Sequence, residues 1–168
     1  MALEIERKFL VRIVGDPVAE EGVRTLELLQ EYLVDDGTGT RRVRRTDDGS
    51  DVRYHTAAKR DIAPGVREEI EREIAVAEWS ELRRGADPDR HAVVKTRYVV
   101  PSGGRIWEID VFAGPLAGLA LAEVELASED ELHLELHPPA CIVIERDVTD
   151  DARYGNAALA RLDAPPAD

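Results

Sequence analysis

The stretch Leu3-Glu4-Ile5-Glu6-Arg7-Lys8-Phe9 switches between apolar and charged side chains in a period of two. In an extended chain successive side chains point to opposite faces. Glu4, Glu6 and Lys8 therefore share one face, and Leu3, Ile5 and Phe9 share the other. The pattern returns along the chain: Arg42 with Arg44, Glu69 with Glu71 and Glu73, Lys95 with Arg97, Glu108 with Asp110, and Glu123 with Glu125. Turn signals separate these segments, at Asp35-Asp36-Gly37-Thr38-Gly39, Asp47-Asp48-Gly49, Ala63-Pro64-Gly65 and Pro101-Ser102-Gly103-Gly104. The spacing predicts strands at 2–12, 24–34, 40–47, 51–60, 66–76, 91–100, 104–113 and 119–127. Closely spaced hairpins make the sheet antiparallel. Helices are predicted at 77–85, ending on Gly85, and at 154–162, after capping side chains from Thr149-Asp150-Asp151.

A solvated sheet face accounts for any one of these strands, since charged residues are mostly exposed. Together they depart from that pattern. Solvated faces intersperse both signs, whereas here acids dominate the fifth, seventh and eighth predicted strands and bases the third and sixth. Carboxylates take hard cations through oxygen, and Arg and Lys take phosphate oxygens. One face carrying both suits a polyanion together with divalent cations.

Composition narrows the classes further. The 168 residues are 43% apolar, enough for one domain with a core of its own, and 22 basic against 35 acidic residues leave a net charge of −13. That balance argues against a general nucleic-acid or anionic-membrane binder. The longest uncharged run, Val111 to Ala122, is broken by Gly114, Pro115 and Gly118 and falls short of the roughly 20 residues that span a bilayer. An acidic N-terminus is unlike a secretory signal. We expect a cytoplasmic protein with one domain over 1–163 and a frayed tail over 164–168. Cys141 stands alone in the apolar run Ala140 to Ile144 and reads as a packed thiol. His133 and His137 resemble a helical zinc pair only faintly, because Pro138 and Pro139 follow at once. Gly37-Thr38-Gly39 lacks the third glycine of a dinucleotide loop.

The charged motifs resemble, in order, those of the CYTH superfamily, the triphosphate tunnel metalloenzymes. Glu4-Ile5-Glu6-Arg7-Lys8 is similar to its N-terminal Glu-x-Glu-x-Lys signature. Gln30-Glu31-Tyr32-Leu33, Arg42-Val43-Arg44, Glu69-Ile70-Glu71, Lys95-Thr96-Arg97-Tyr98, Glu108-Ile109-Asp110 and Glu123-Val124-Glu125 follow in sequence. The tail from Val148 to Asn156 is also family-like, so the resemblance covers roughly 2–162. It implies a mainly β fold: a closed eight-stranded antiparallel barrel with a charged lumen and a few flanking helices. Such a barrel encloses room for one small ligand. Its apolar faces then point outward, and helices or a homodimer partner must cover them.

By resemblance, Glu4, Glu6, Glu123 and Glu125 hold Mg2+ or Mn2+. Glu69, Glu71, Glu108 and Asp110 serve as further ligands or orient the bases. Lys8, Arg42, Arg44, Lys59, Lys95, Arg97 and Arg153 grip the phosphates. A shift of register by one would turn Arg60 or Arg53 inward in place of Lys59. Tyr32 pairs with Lys8 in the catalytic role, with its phenol drawn down by the neighbouring cation. The implied reaction is hydrolysis of inorganic triphosphate (tripolyphosphate) to pyrophosphate and phosphate. A class IV adenylate cyclase, a thiamine triphosphatase and a non-catalytic polyphosphate or nucleotide binder are the alternatives.

Overall fold

Alternation along the first strand sets the architecture. In the computed structural model, which describes residues 2–37 and 39–167, Glu4, Glu6 and Lys8 face the inside of a closed barrel. The strands are β1 (Ala2–Ile13), β2 (Arg24–Tyr32), β3 (Thr40–Asp47), β4 (Val52–Ala63), β5 (Val66–Ile74), β6 (Val93–Ser102), β7 (Arg105–Phe112), β8 (Ala120–Glu125) and β9 (Ile142–Asp147). All pairings are antiparallel. They run β5-β4-β3-β2-β6-β7-β8-β1, and β5 meets β1 again to close the ring of eight, with β9 added outside it.

Closure takes place on the first half of β1. Ala2–Ile5 pairs with Val66–Glu69 of β5, and the Glu6 amide then donates to the Gly65 carbonyl at 3.0 Å. Gly65 turns the β4–β5 hairpin with φ +71, and a Cβ there would press on the Glu6 carbonyl, Leu132 and Thr149. Glycine is thus required both by its backbone angle and by the close approach. Beyond this point β5 has ended, and the free edge of Phe9–Ile13 is taken by β9.

β9 was not among the expected strands. Its outer positions carry Glu145 and Asp147, and Pro138-Pro139 just precedes it, so only its apolar run stood out in the sequence. The first expected helix is α1 (Val76–Leu82), tightened by a 3-10 turn over Arg83–Gly85. The second is much shorter than expected. Asp151 caps a 3-10 turn at Ala152–Tyr154, Gly155 is extended, and only Asn156–Leu159 is helical, as α2. In the tail, the Ala167 carbonyl accepts a hydrogen bond from Arg153, while Asp168 lies outside the described residues. Thr38, in the β2–β3 turn, lies outside them as well.

Two apolar clusters answer the question of what covers an inside-out barrel. The outward faces of β1, β6, β7 and β8 carry Ile5, Phe9, Val100, Trp107, Ile109 and Val124, all buried. The segment between β8 and β9 lies across them, contributing Leu126, Leu132, Leu136 and Cys141. Trp107 is fully buried, its ring 5.8 Å from that of Phe9. Within the same segment, His133 and His137 are exposed. The second cluster plugs one end of the barrel. There the inner faces change from charged to apolar, with Leu10 after Lys8, Leu121 before Glu123, Phe112 after Asp110 and Val93 before Lys95. Tyr154, Leu159 and Ala160 close this end. The outer face of the β4–β5 half is thinly covered: Trp79 of α1 stacks on Tyr54 at 4.8 Å, while Ile62 and Ile70 stay more than half exposed.

Candidate active site

Alternation on seven of the eight barrel strands converges on a cavity of about 210 Å³. Its wall carries acids from β1, β5, β7 and β8 (Glu4, Glu6, Glu69, Glu71, Glu108, Glu123 and Glu125). Facing them are bases from β3, β4, β5 and β6: Arg42, Arg44, Lys59, Arg67 and Arg97. A smaller chamber continues toward the plugged end, where Lys8, Tyr32 and Thr40 join Arg42 and Lys59. Register accounts for the neighbours: Glu6 lies opposite Glu125, Lys8 and Glu108 both lie opposite Glu123, and Arg97 lies opposite Asp110.

Nearly every acid is held on a base. Lys59 Nζ lies 2.7 Å from Glu4 and 3.5 Å from Glu69, and Lys8 Nζ lies 2.8 Å from Glu123. Arg67 Nη1 donates to Glu6 at 2.6 Å. Arg42 and Arg44 both reach Glu71, at 3.3 and 3.1 Å. Arg97 donates to Asp110 through Nε and Nη2, at 2.6 and 2.8 Å, and also pairs with Glu108. Glu125 is different: it faces the cavity with no cation at ion-pairing distance among the described residues. Among those residues no three acidic, histidine or cysteine groups form a ready-made cation cage, because the acids are turned onto their basic partners.

The buried charges perturb one another. Burial, then Glu123 and Glu4, push the Glu6 carboxyl up to about 7, against the opposing pull of Lys8 and Arg67. Burial also works to raise Glu123, but Lys8, Arg97 and Lys95 hold it well below the usual carboxylate range. A folded-state value above the unfolded one has a definite consequence. The stability contributed by Glu6 is fully present below its ordinary value of 4.5 and is lost as the pH rises through about 7. The chelator-treated protein is expected to lose on the order of 3 kcal/mol from this group between pH 4.5 and 8. Thermal melts of Glu6→Gln across that range should show a correspondingly shallower fall. A slope identical to that of the native chain would remove Glu6 as its source.

No family model matches the chain. It is 35% identical to the inorganic triphosphatase of Nitrosomonas europaea over 159 residues, 94% of this chain and 96% of that protein. A second relative, the inorganic triphosphatase of Acetivibrio thermocellus, is 33% identical over 162 residues, 96% of this chain and 95% of that protein. The chain belongs to the inorganic triphosphatase family. A crystal structure of an inorganic triphosphatase, 35% identical and covering 96% of each chain, superposes with a TM-score of 0.61. The tunnel architecture is thus a family fold.

Glu4, Glu6, Glu123, Glu125, Arg42, Arg44, Lys59 and Arg97 all line the main cavity, as do Glu69, Glu71 and Glu108. Lys59 is the inward base of β4, whereas Arg60 pairs with Glu68 and Arg53 with Asp51 outside. Asp110 and Lys95 form a buried pair just behind the wall. Arg153 is not brought to the cavity: its guanidinium sits on Asp151 and stacks over Tyr154, because the extended Gly155 separates its turn from α2.

The environment of Tyr32 also differs from the expectation. Lys8 and Arg42 pull its phenol down, but burial at the plugged end outweighs them and pushes it up. Lys8 itself is committed to Glu123 and to the Tyr154 carbonyl. Arg67 was missed by the motif reading, although it alternates in phase with Glu69 and Glu71. Gln30, which the second motif contained without a role, lies opposite Arg44, is fully buried, and leaves both amide atoms without a partner among the described residues.

Proposed function

We propose that this chain hydrolyses inorganic triphosphate to pyrophosphate and phosphate within the tunnel, using Mg2+ or Mn2+ held by Glu4, Glu6, Glu123 and Glu125. The observation that carries this reading is the meeting of an acidic and a basic wall on the inside of one closed barrel. The kinship with inorganic triphosphatases supports the choice of substrate. The donor chemistry fits a hard divalent cation: the four groups offer only oxygen, and Glu6 and Glu125 face each other across β1 and β8. Burial, reinforced by Glu123 and Glu4, has already pushed Glu6 upward, and positive charge between these acids relieves that cost. A bound cation supplies neutralisation of phosphate charge and a lowered pKa for a coordinated water.

The chain's own residues do the rest. The Arg42 and Arg44 guanidiniums, now shared with Glu71, exchange that carboxylate for phosphate oxygens, which match their fork geometry. Lys59 and Arg97 extend the basic wall, so the substrate is aligned along it and charge is stabilised as the phosphoanhydride bond breaks. Lys8 receives charge at the inner end. Tyr32, with its phenol raised, stays protonated at neutral pH and acts there as a hydrogen-bond donor rather than as a base. Water attacks the terminal phosphorus, pyrophosphate departs with the bridging oxygen, and the proton passes to solvent.

The test is phosphate release from tripolyphosphate, ATP and thiamine triphosphate in parallel, with Mg2+, Mn2+ or EDTA. Fast release from tripolyphosphate alone, abolished by EDTA, is the expected result. Preferred cleavage of an organic triphosphate, cyclic AMP formation from ATP, or tight binding without turnover would each overturn the assignment.

A further inference from the structure

Asn156, the first residue of α2, lines both the main cavity and the inner chamber. Its side chain is fixed from behind. Lys95 Nζ donates to Asn156 Oδ1 at 3.2 Å while also paired to Asp110, and the Lys95 side chain is 0% exposed. An ammonium group has donors only, so the amide must turn its oxygen toward Lys95, whichever way the two amide atoms were first assigned. With Oδ1 taken by Lys95, Nδ2 is the donor that this residue has left to offer to the two chambers it lines. A neutral donor is thereby held at the point where the two chambers meet.

We propose that the Asn156 amide is a substrate contact, donating through Nδ2 to a phosphate oxygen at the inner end of the tunnel, with Lys95 as the residue that positions it. This rests on the reading of the tunnel as a site for a chain of phosphates. It also gives Lys95 a role other than the direct grip expected from the motif, since Lys95 stands behind the wall and reaches the cavity through Asn156. α2 then supplies a polar group to the site as well as apolar groups to the plug.

Asn156→Asp separates this role from a structural one. Aspartate has the same shape and still accepts from Lys95, so the fold keeps its contact and gains an ion pair. The donor, however, becomes an anion facing an anion. We expect the thermal midpoint to stay level or rise while the Kd for tripolyphosphate, titrated calorimetrically in EDTA and again in Mg2+, increases about 100-fold or more. Asn156→Ala, which removes the donor without adding charge, is expected to weaken binding about tenfold. Should the aspartate variant not fold, the alanine variant carries the same comparison.

An affinity within about threefold of the native chain in a folded variant would overturn the inference while leaving the functional reading in place. A native chain that neither binds nor cleaves tripolyphosphate would remove the functional reading and this inference with it.

Discussion

Glu125→Ala is expected to lower metal-dependent phosphate release by a factor of about 1,000 or more, a loss near 4 kcal/mol in transition-state stabilisation. The thermal midpoint should be unchanged. The two halves of this expectation come from one observation. Glu125 faces the cavity without a cationic partner among the described residues, whereas Glu4 and Glu6 are held by Lys59 and Arg67. Deleting Glu125 breaks no ion pair and leaves no base stranded, so the fold loses nothing. Only a ligand that arrives later feels the difference. Raising the Mg2+ or Mn2+ concentration should recover part of the activity if Glu125 contributes to cation affinity. Full activity at ordinary metal concentration would show that the cation is held elsewhere.

Arg97→Ala acts in the opposite sense, on the empty protein. Arg97 neutralises Asp110 and Glu108 and lies 3.6 Å from Glu123. Asp110 is 1% exposed, and with the guanidinium gone its buried carboxylate keeps Lys95 but loses the partner that bonds both of its oxygens. Breaking such a buried pair by removing one partner costs about 3–5 kcal/mol. Arg97 and Lys95 now hold Asp110 below its ordinary value, even though burial works to raise it. The stability it contributes is therefore present above the ordinary aspartate pKa and is lost as the pH falls below it. In the variant Lys95 alone opposes burial, and Asp110 moves upward. The deficit against the native protein should be largest near neutral pH and shrink on acidification, as Asp110 takes up a proton. Urea unfolding at pH 7 and pH 5 measures both. A deficit independent of pH would mean that lost packing, and not stranded charge, is the cause.

Much of the fold was legible because a lumen-facing charge every second residue cannot be imitated by a helix. Glu4-x-Glu6-x-Lys8 and its counterparts placed the inner face of six strands without any tertiary information, while the fourth needed Lys59 from the family resemblance. Other features depended on long-range geometry. β9 exists because β5 leaves β1 at Ile5, a fact of closure that no local pattern in Ile142–Asp147 announces. Arg153 and Asn156 lie three residues apart, and only the extended Gly155 decides that the second, not the first, reaches the cavity. Tyr32 was read through its charged neighbours. The apolar plug that encloses it comes from Phe112, Leu121 and Leu159, which are distant in sequence, and desolvation there prevails.

The uneven apolar covering of the barrel divides it mechanically. Glu4, Glu6, Glu123 and Glu125 stand on β1 and β8, whose backs are sealed by Trp107, Leu132 and Cys141. Arg42, Arg44 and Lys59 stand on β3 and β4, beside outer residues such as Ile62 that remain in water. Amide hydrogens of β1 and β8 will exchange with solvent through global unfolding, and those of β4 and β5 through smaller openings. The tunnel is therefore expected to have one stiff side and one compliant side: Glu4, Glu6, Glu123 and Glu125 stand on the first, and Arg42, Arg44 and Lys59 on the second.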